Sequence, residues 1–369
     1  MRSSFGYLLA LSMLASAACT KEKLVIQEVE KTTSWSAWPG LYGTNTIILG
    51  MGKDANSILL QSPAFLNIIS PIRGSAPYRN FGYIGRAAVG FPQDVRLKLP
   101  VSADFIAYAE PRQDTIVTLV PPSQPVTSGY SAYINLRKLD PQATGIVVNG
   151  HSSGLAFGAI SSHNYLLFGY QTTINDPNLR FVIAEVIRQP AGNLSVQARR
   201  VVVPLGLNLA AHRIQWIQAV DNYFLANCED AGLYKIREDG SVTRVFGLNK
   251  ATTCYQWQGK IYAPEFDNKV LFSTDNGETW QRYLGLPDVL NFATYQAVGD
   301  SLIGINQTIL PQLFTLRWHG NSYSLRFLKN DGLGNGSVRG IEQLADTVYV
   351  GTTSGLFKQP ISRFFETKR

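Results

Sequence analysis

Residues 273–280 read Ser273-Thr274-Asp275-Asn276-Gly277-Glu278-Thr279-Trp280, the pattern S-x-D-x-G-x-T-W. Each fixed letter has a task in a tight turn. The Asp275 carboxylate can accept backbone N–H groups of the turn, and Gly277 takes a positive φ without a Cβ penalty. Trp280 carries a large apolar surface to whatever packs beside it. The run before the turn, Lys269-Val270-Leu271-Phe272-Ser273, has the apolar and aromatic character of a strand. The box is a turn between two strands.

Its surroundings repeat. QAVDNYFLA from Gln218, QWQGKIYAP from Gln256, QAVGDSLIG from Gln296 and QLADTVYVG from Gln343 align on a glutamine, at spacings of 38, 40 and 47 residues. Each reads as an outer strand, a polar or glycine turn and a second strand. A third strand follows in every copy: GLYKI at Gly232, KVLFS at Lys269, QLFTL at Gln312 and GLFKQ at Gly355. In the first three, Gly240, Gly277 and Gly320 then mark a turn into a fourth strand. The unit is four antiparallel strands.

The box resembles the Asp-box (BNR repeat) of sialidase-like and photosystem-assembly-like β-propellers, whose blades carry it between their third and fourth strands. The resemblance implies an all-β, closed propeller in which Ser273, Asp275, Gly277, Thr279 and Trp280 staple the fold away from the binding face. Directly, it covers about residues 214–369. Upstream, the strand cores TIILG (46–50), DFIAY (104–108) and YLLFG (165–169) lead to YFLA at 223, at intervals of 58, 61 and 58 residues. They predict three larger blades with longer loops, making seven blades of four antiparallel strands. Six or eight stay open, since GIVVNG (145–150) reads as the start of a further blade. Ring closure removes exposed sheet edges, and a strand near Leu24 to Glu28 is expected to complete the last blade.

Composition agrees with this class. Of 369 residues, 45% are hydrophobic, 11% aromatic and only 16% charged, which suits a turn-rich β body and excludes a coiled coil or a disordered chain. The N-terminus reads as a targeting segment. Arg2 precedes the apolar run Phe5 to Ala18, which is too short to span a bilayer. It ends Leu14-Ala15-Ser16-Ala17-Ala18-Cys19, which resembles a bacterial lipoprotein signal, with Ser16 where Leu is commoner. The resemblance implies cleavage of residues 1–18, lipidation of Cys19 and a tether over residues 19–33. A single propeller domain follows over 34–369. Thr20, in place of an aspartate that would resemble an inner-membrane retention signal, points to the outer membrane, facing the periplasm or the cell surface.

Cys228 and Cys254 are either a disulfide, which export permits, or two buried thiols. No His or Cys lies near them at ligand spacing, so neither metal nor cofactor is expected. Without residues 1–18 the chain has 32 basic against 26 acidic residues, a diffuse excess. An exported, anchored chain with that charge is not a nucleic-acid binder.

Catalytic patterns are incomplete. Gly150-His151-Ser152-Ser153-Gly154 fits the nucleophile elbow G-x-S-x-G, but the context is strand, turn, strand rather than strand-to-helix. Of the histidines downstream, His319 sits at a blade turn. A sialidase-like enzyme needs three arginines, an activated tyrosine and an acid, and for its early F-R-I-P stretch the chain offers only Ser70-Pro71-Ile72-Arg73-Gly74, which does not match. Arg73, Tyr78, Arg79 and Arg86 are the binding-face candidates of the longer-looped first half. Trp35, Trp38, Tyr42, Tyr130 and Tyr133 are aromatic rim candidates whose commoner home is the core. These readings imply a lipid-anchored outer-membrane propeller that binds or assembles a protein partner or a glycan. The alternative is a sialidase-like glycoside hydrolase or polysaccharide lyase acting on extracellular glycans.

Overall fold

The computed structural model describes residues 34–38, 47–53, 57–62, 65–70, 74–80, 88–90, 105–110, 113–121, 130–147, 158–173, 176–205, 214–228, 231–284, 290, 293–306, 312–320, 322–333 and 336–367. Within the unit Ser34–Arg369 they form seven antiparallel sheets arranged as a β-propeller.

Blade I is β2 (Gly50–Lys53), β3 (Ile58–Gln61), β4 (Phe65–Ser70) and β5 (Gly74–Asn80). Blade II is β6 (Ala88–Gly90), β7 (Ile106–Glu110), β8 (Gln113–Val120) and β9 (Ala132–Asn135). Blade III has a divided first strand, β10 (Gly145–Ile146) and β11 (Gly158–Ile160), both paired to β12 (Tyr165–Gln171), then β13 (Asn178–Arg188) and β14 (Leu194–Pro204). Blade IV is β15 (Ile214–Val220), β16 (Tyr223–Cys228), β17 (Gly232–Arg237) and β18 (Val242–Phe246). Blade V is β19 (Tyr255–Trp257), β20 (Lys260–Glu265), β21 (Lys269–Ser273) and β22 (Gln281–Leu284). Blade VI is β23 (Ala293–Val298), β24 (Ser301–Asn306), β25 (Gln312–His319) and β26 (Ser322–Phe327). Blade VII is β27 (Val338–Leu344), β28 (Thr347–Thr352) and β29 (Gly355–Pro360), completed by β1 (Ser36–Ala37) from the other end of the chain.

The fourfold unit is as the repeats predict, and Gly240, Gly277 and Gly320 all have positive φ at the third turn. Four points differ. The glutamine strands are inner, not outer: β27 packs beside β2 and β23, and β11 beside β6 and β15, so first strands approach one another around the axis. The outward strand is the fourth, and β26 is largely and β18 partly exposed as a result. TIILG leads into a first strand, β2, whereas DFIAY and YLLFG fall on second strands, so the upstream phase slips by one strand. GIVVNG opens no eighth blade, because Gly145 and Ile146 pair with Gln171 and Tyr170 of blade III. Finally, the closing strand is Ser36–Ala37, paired with Lys358 and Phe357; Leu24 to Glu28 lies outside the described residues.

The core is distributed between blades. Second strand β16 is buried at every residue, and the two faces of the blade IV sheet feed two neighbouring clusters. Gly304 shows the closeness of this packing: a Cβ there would stand 2.1 Å from the Phe314 ring. Ring closure rests on Trp35, buried against Phe364 with ring centroids 5.9 Å apart. Cys228 and Cys254 are free thiols. Cys228 packs in the cluster between blades III and IV and Cys254 in that between IV and V. The sheet of blade IV separates the two clusters, so the disulfide alternative is not the one the structure contains.

Candidate functional site

Antiparallel order divides the turns between two faces of the ring. First-to-second and third-to-fourth turns emerge on one face. Second-to-third turns and interblade connections emerge on the other.

On the first face, the turn after β21 closes on itself. Gly277 N donates to Ser273 Oγ at 2.8 Å, and Thr279 N and Oγ1 donate to the Asp275 carboxylate at 2.9 and 2.6 Å. Ser273 Oγ donates to Asp275 Oδ1 at 2.8 Å. These donors, led by Thr279, hold the Asp275 carboxyl down at about 2. Trp280 Nε1 donates to the Gly277 carbonyl, and the indole joins a core with Trp216 and Leu233 of blade IV. Lys235 of blade IV donates to the Asn276 carbonyl, so the turn is fastened across the blade boundary. His163 likewise bridges turns of blades III and IV, its Nδ1 3.2 Å from Glu238.

The second face carries a different arrangement between blades IV and V. Glu265, 1% exposed, receives Arg282 Nε and Nη2 at 2.6 and 2.8 Å and the Lys250 backbone N–H at 3.1 Å. A bidentate guanidinium plus a backbone donor satisfies a carboxylate that burial would otherwise penalise. The same Arg282 donates to the Leu248 carbonyl, and Phe266 N donates to the Lys250 carbonyl at 3.0 Å. The connector and the β20–β21 hairpin are thereby locked together. Above this base, Leu248 is 65% and Phe266 50% exposed. Lys250 and Lys269 flank them through Asp267.

Around the axis, pleating points Glu342 of β27 toward blade I, on the face of β27 where Gly340 approaches Met51. Lys53, two residues beyond Met51 on β2, faces it. Burial pushes the Glu342 carboxyl up to about 7, opposed by the attraction of the Lys53 ammonium. Two of the repeat glutamines join blades VI and VII. Gln296 accepts the Ile341 N–H, and Gln343 accepts the Gly299 N–H at 2.8 Å. A glycosidase needs two carboxylates across a scissile bond; the charge that faces Glu342 is a lysine.

Of the residues singled out in the sequence, Cys19, Arg73, Arg86, Tyr42 and Gly150–Gly154 lie outside the described residues. Tyr78 and Arg79 belong to β5. Trp35 is core, Trp38 packs edge-on to Tyr349 beneath the Lys358 ammonium, and Tyr133 is 54% exposed. Sequence reasoning missed Leu248, Phe266 and the Glu265–Arg282 pair. A lone leucine in a Gly-Leu-Asn connector carries no pattern, and the pairing of Glu265 with Arg282 is visible only once β20, β21 and β22 lie side by side.

No protein family matches the chain, and no curated protein does. Among solved structures, the WD40 β-propeller domain of Doa1 is similar with a TM-score of 0.51 at 11% identity, over 90% of this chain and 99% of that one. BamB from Moraxella catarrhalis gives 0.45 at 11% identity over 86% of each chain. BBS1N, solved in complex with ARL6DN, gives 0.48 at 13% identity over 90% and 99%. Together with the seven sheets, the Doa1 likeness defines the chain as a β-propeller. At such identities the likeness concerns fold alone.

Proposed function

We propose that this protein is a lipid-anchored binding or assembly module of a bacterial outer membrane, held through Cys19 and presenting its propeller to a protein partner or a glycan. The observation that carries the reading is the Leu248–Phe266 pair. Two large apolar side chains stand in solvent on a base fixed by a buried, bidentate ion pair. Preformed apolar anchors with a charged rim are what interface hot spots are made of. The lipoprotein-like signal supports the anchored setting, and the Asp-box resemblance supports a stapled, rigid scaffold for the exposed anchors.

Two experiments test this reading. Photo-crosslinkers at positions 248 and 266 in the membrane-associated protein should capture one discrete species, and Leu248→Asp with Phe266→Asp should abolish it while circular dichroism is unchanged. Crosslinking equal to that from Val202, an exposed site on the outer edge of blade III, would remove the face from consideration. Cys19→Ala should prevent incorporation of radiolabelled palmitate and release the chain from the membrane pellet. Retained labelling would sink the anchoring part.

A further inference from the structure

Blade VI turns one face toward blade VII. Ile303, Ile305 and Leu313 on that face enter the core between the two blades. Strand register places Thr315 opposite both Ile303 and Arg326, and Arg317 opposite Ser324, so these four side chains continue the same face outward. Elsewhere an outer strand of the next blade would pack toward such residues. Blade VII's outer strand is only Ser36–Ala37 and reaches only Phe357 and Lys358. Along this face runs a cavity of about 510 Å³, walled by Thr315, Arg317, Ser324 and Arg326 and by Phe365 and Thr367 of the C-terminal tail.

Arg180, Arg237 and Arg282 all pair with carboxylates. Arg317 and Arg326 make no ion pair or hydrogen bond among the described residues, although Asp300 lies on the same wall. They are diagonal neighbours on adjacent strands, a spacing of about 7–8 Å at the backbone that long side chains readily close. Two converging guanidiniums beside two hydroxyls provide fork-like donors for a tetrahedral oxyanion. The volume is that of a small-solute site, larger than one anion requires. Phe365, 36% exposed, offers ring surface for the remainder, as sugars use.

We propose that the cleft between blade VI and the C-terminal tail binds a phosphate or sulfate monoester carried on a sugar-sized solute. Both guanidiniums grip the ester oxygens, and Thr315 and Ser324 add hydroxyl donors. This site is independent of the Leu248–Phe266 face, so either can fail without the other.

Isothermal titration of the detergent-solubilised full chain with glucose 6-phosphate, glucose, inorganic phosphate, inorganic sulfate and dihexanoyl phosphatidic acid tests it. Glucose 6-phosphate should bind, more tightly than inorganic phosphate, and glucose should not. Arg317→Ala and Arg326→Ala should each weaken binding roughly tenfold or more, the loss expected for one charge-assisted contact, and binding should weaken with salt. Tighter binding of the short-chain phosphatidic acid would keep the oxyanion site and assign its source to lipid. Equal affinity for inorganic phosphate and glucose 6-phosphate would overturn the sugar-sized ligand. Absence of binding by every anion, or binding undiminished in the folded Arg317→Ala/Arg326→Ala double variant, would overturn the site.

Discussion

Lys235 of blade IV places its ammonium 2.7 Å from the Glu278 carboxylate of blade V, although the lysine is 4% exposed and the glutamate side chain 46%. The same ammonium donates to the Asn276 carbonyl at 2.8 Å and lies 3.9 Å from the centre of the Tyr223 ring. A buried charge with three partners is costly to disturb from one side only. Because Glu278 reaches water, its removal and that of the lysine are unequal.

Lys235→Met should therefore destabilise the propeller by about 2–3 kcal/mol, through the lost charged hydrogen bonds and cation–π contact. Glu278→Gln should cost at most about 1 kcal/mol, the range of an exposed pair. Urea unfolding of both variants measures the difference. Equal losses would mean that the ion pair, rather than the buried ammonium and its backbone partner, joins blades IV and V.

Asp275 sets an acid limit on the same turn. Its carboxyl is held at about 2 by donors that exist only in the folded turn, so its ordinary value near 3.8 belongs to the unfolded chain. A depressed folded value contributes stability that is fully present above about 3.8 and is lost as pH falls through about 2. Asp275→Asn should lower stability at pH 7 and flatten this acid slope. Thermal unfolding between pH 7 and pH 2 checks both, and an unchanged acid slope in the variant would exclude Asp275 as its source.

The turn and the strand pattern were legible because both are local. The Ser273–Trp280 box needs only eight consecutive residues, and third-turn glycines recur because positive φ at Gly240, Gly277 and Gly320 is a backbone requirement. The inner or outer place of a strand is not local. Gln218 and Gln256 sit on strands that alternate like any half-buried strand, and only the approach of β27 to β2 and β23 reveals which edge meets the axis. Ring closure shows the same limit: Ser36 and Ala37 form a two-residue strand with no pattern of its own, fixed by the burial of Trp35. Of the site, nothing in Gly247-Leu248-Asn249-Lys250 announces exposure, and Arg317 and Arg326 become neighbours only through the β25–β26 register.

Glu342 predicts a dependence of opposite sign to that of Asp275. Its folded value of about 7 lies above the ordinary 4.5, so the native state holds the proton more tightly than the unfolded chain. Stability should fall as pH rises from about 4.5 to about 7 and level off beyond. Glu342→Gln removes the charged form altogether. The variant should match the parent near pH 4 and exceed it by about 1–3 kcal/mol at pH 8. Lys53→Met should have the reverse effect at pH 8, deepening the loss because the opposing Lys53 charge is gone. Guanidinium unfolding at the two pH values distinguishes these, and a Glu342→Gln variant less stable at pH 8 would mean that the carboxylate is satisfied around the axis.

The N-terminal clasp yields the most direct mechanical prediction. Ser34 donates from N and Oγ to the two Asp331 carboxylate oxygens, both at 2.9 Å, and Trp35 Nε1 donates to the Lys329 carbonyl at 3.3 Å. Trp38 N then donates to the Leu356 carbonyl at 2.8 Å, so five residues join the start of the propeller to its end. Trp35 supplies most of the energy, being 2% exposed between Phe364 and the core of blades VI and VII. Trp35→Ala should cost about 3–5 kcal/mol, as for other buried aromatic truncations. Ser34→Ala should cost about 1–2 kcal/mol, because hydrogen bonds to a charged acceptor are partly replaced by water. Closure couples all seven blades, so an opened ring should unfold with lower cooperativity, seen as a reduced urea m-value in Trp35→Ala but not in Ser34→Ala. Hydrogen exchange then locates the opening. Protection should fall first in β27, β28 and β29 of blade VII, while β16 and β17 of blade IV keep theirs. A uniform loss of protection in Trp35→Ala would mean that the ring opens only when the whole propeller unfolds.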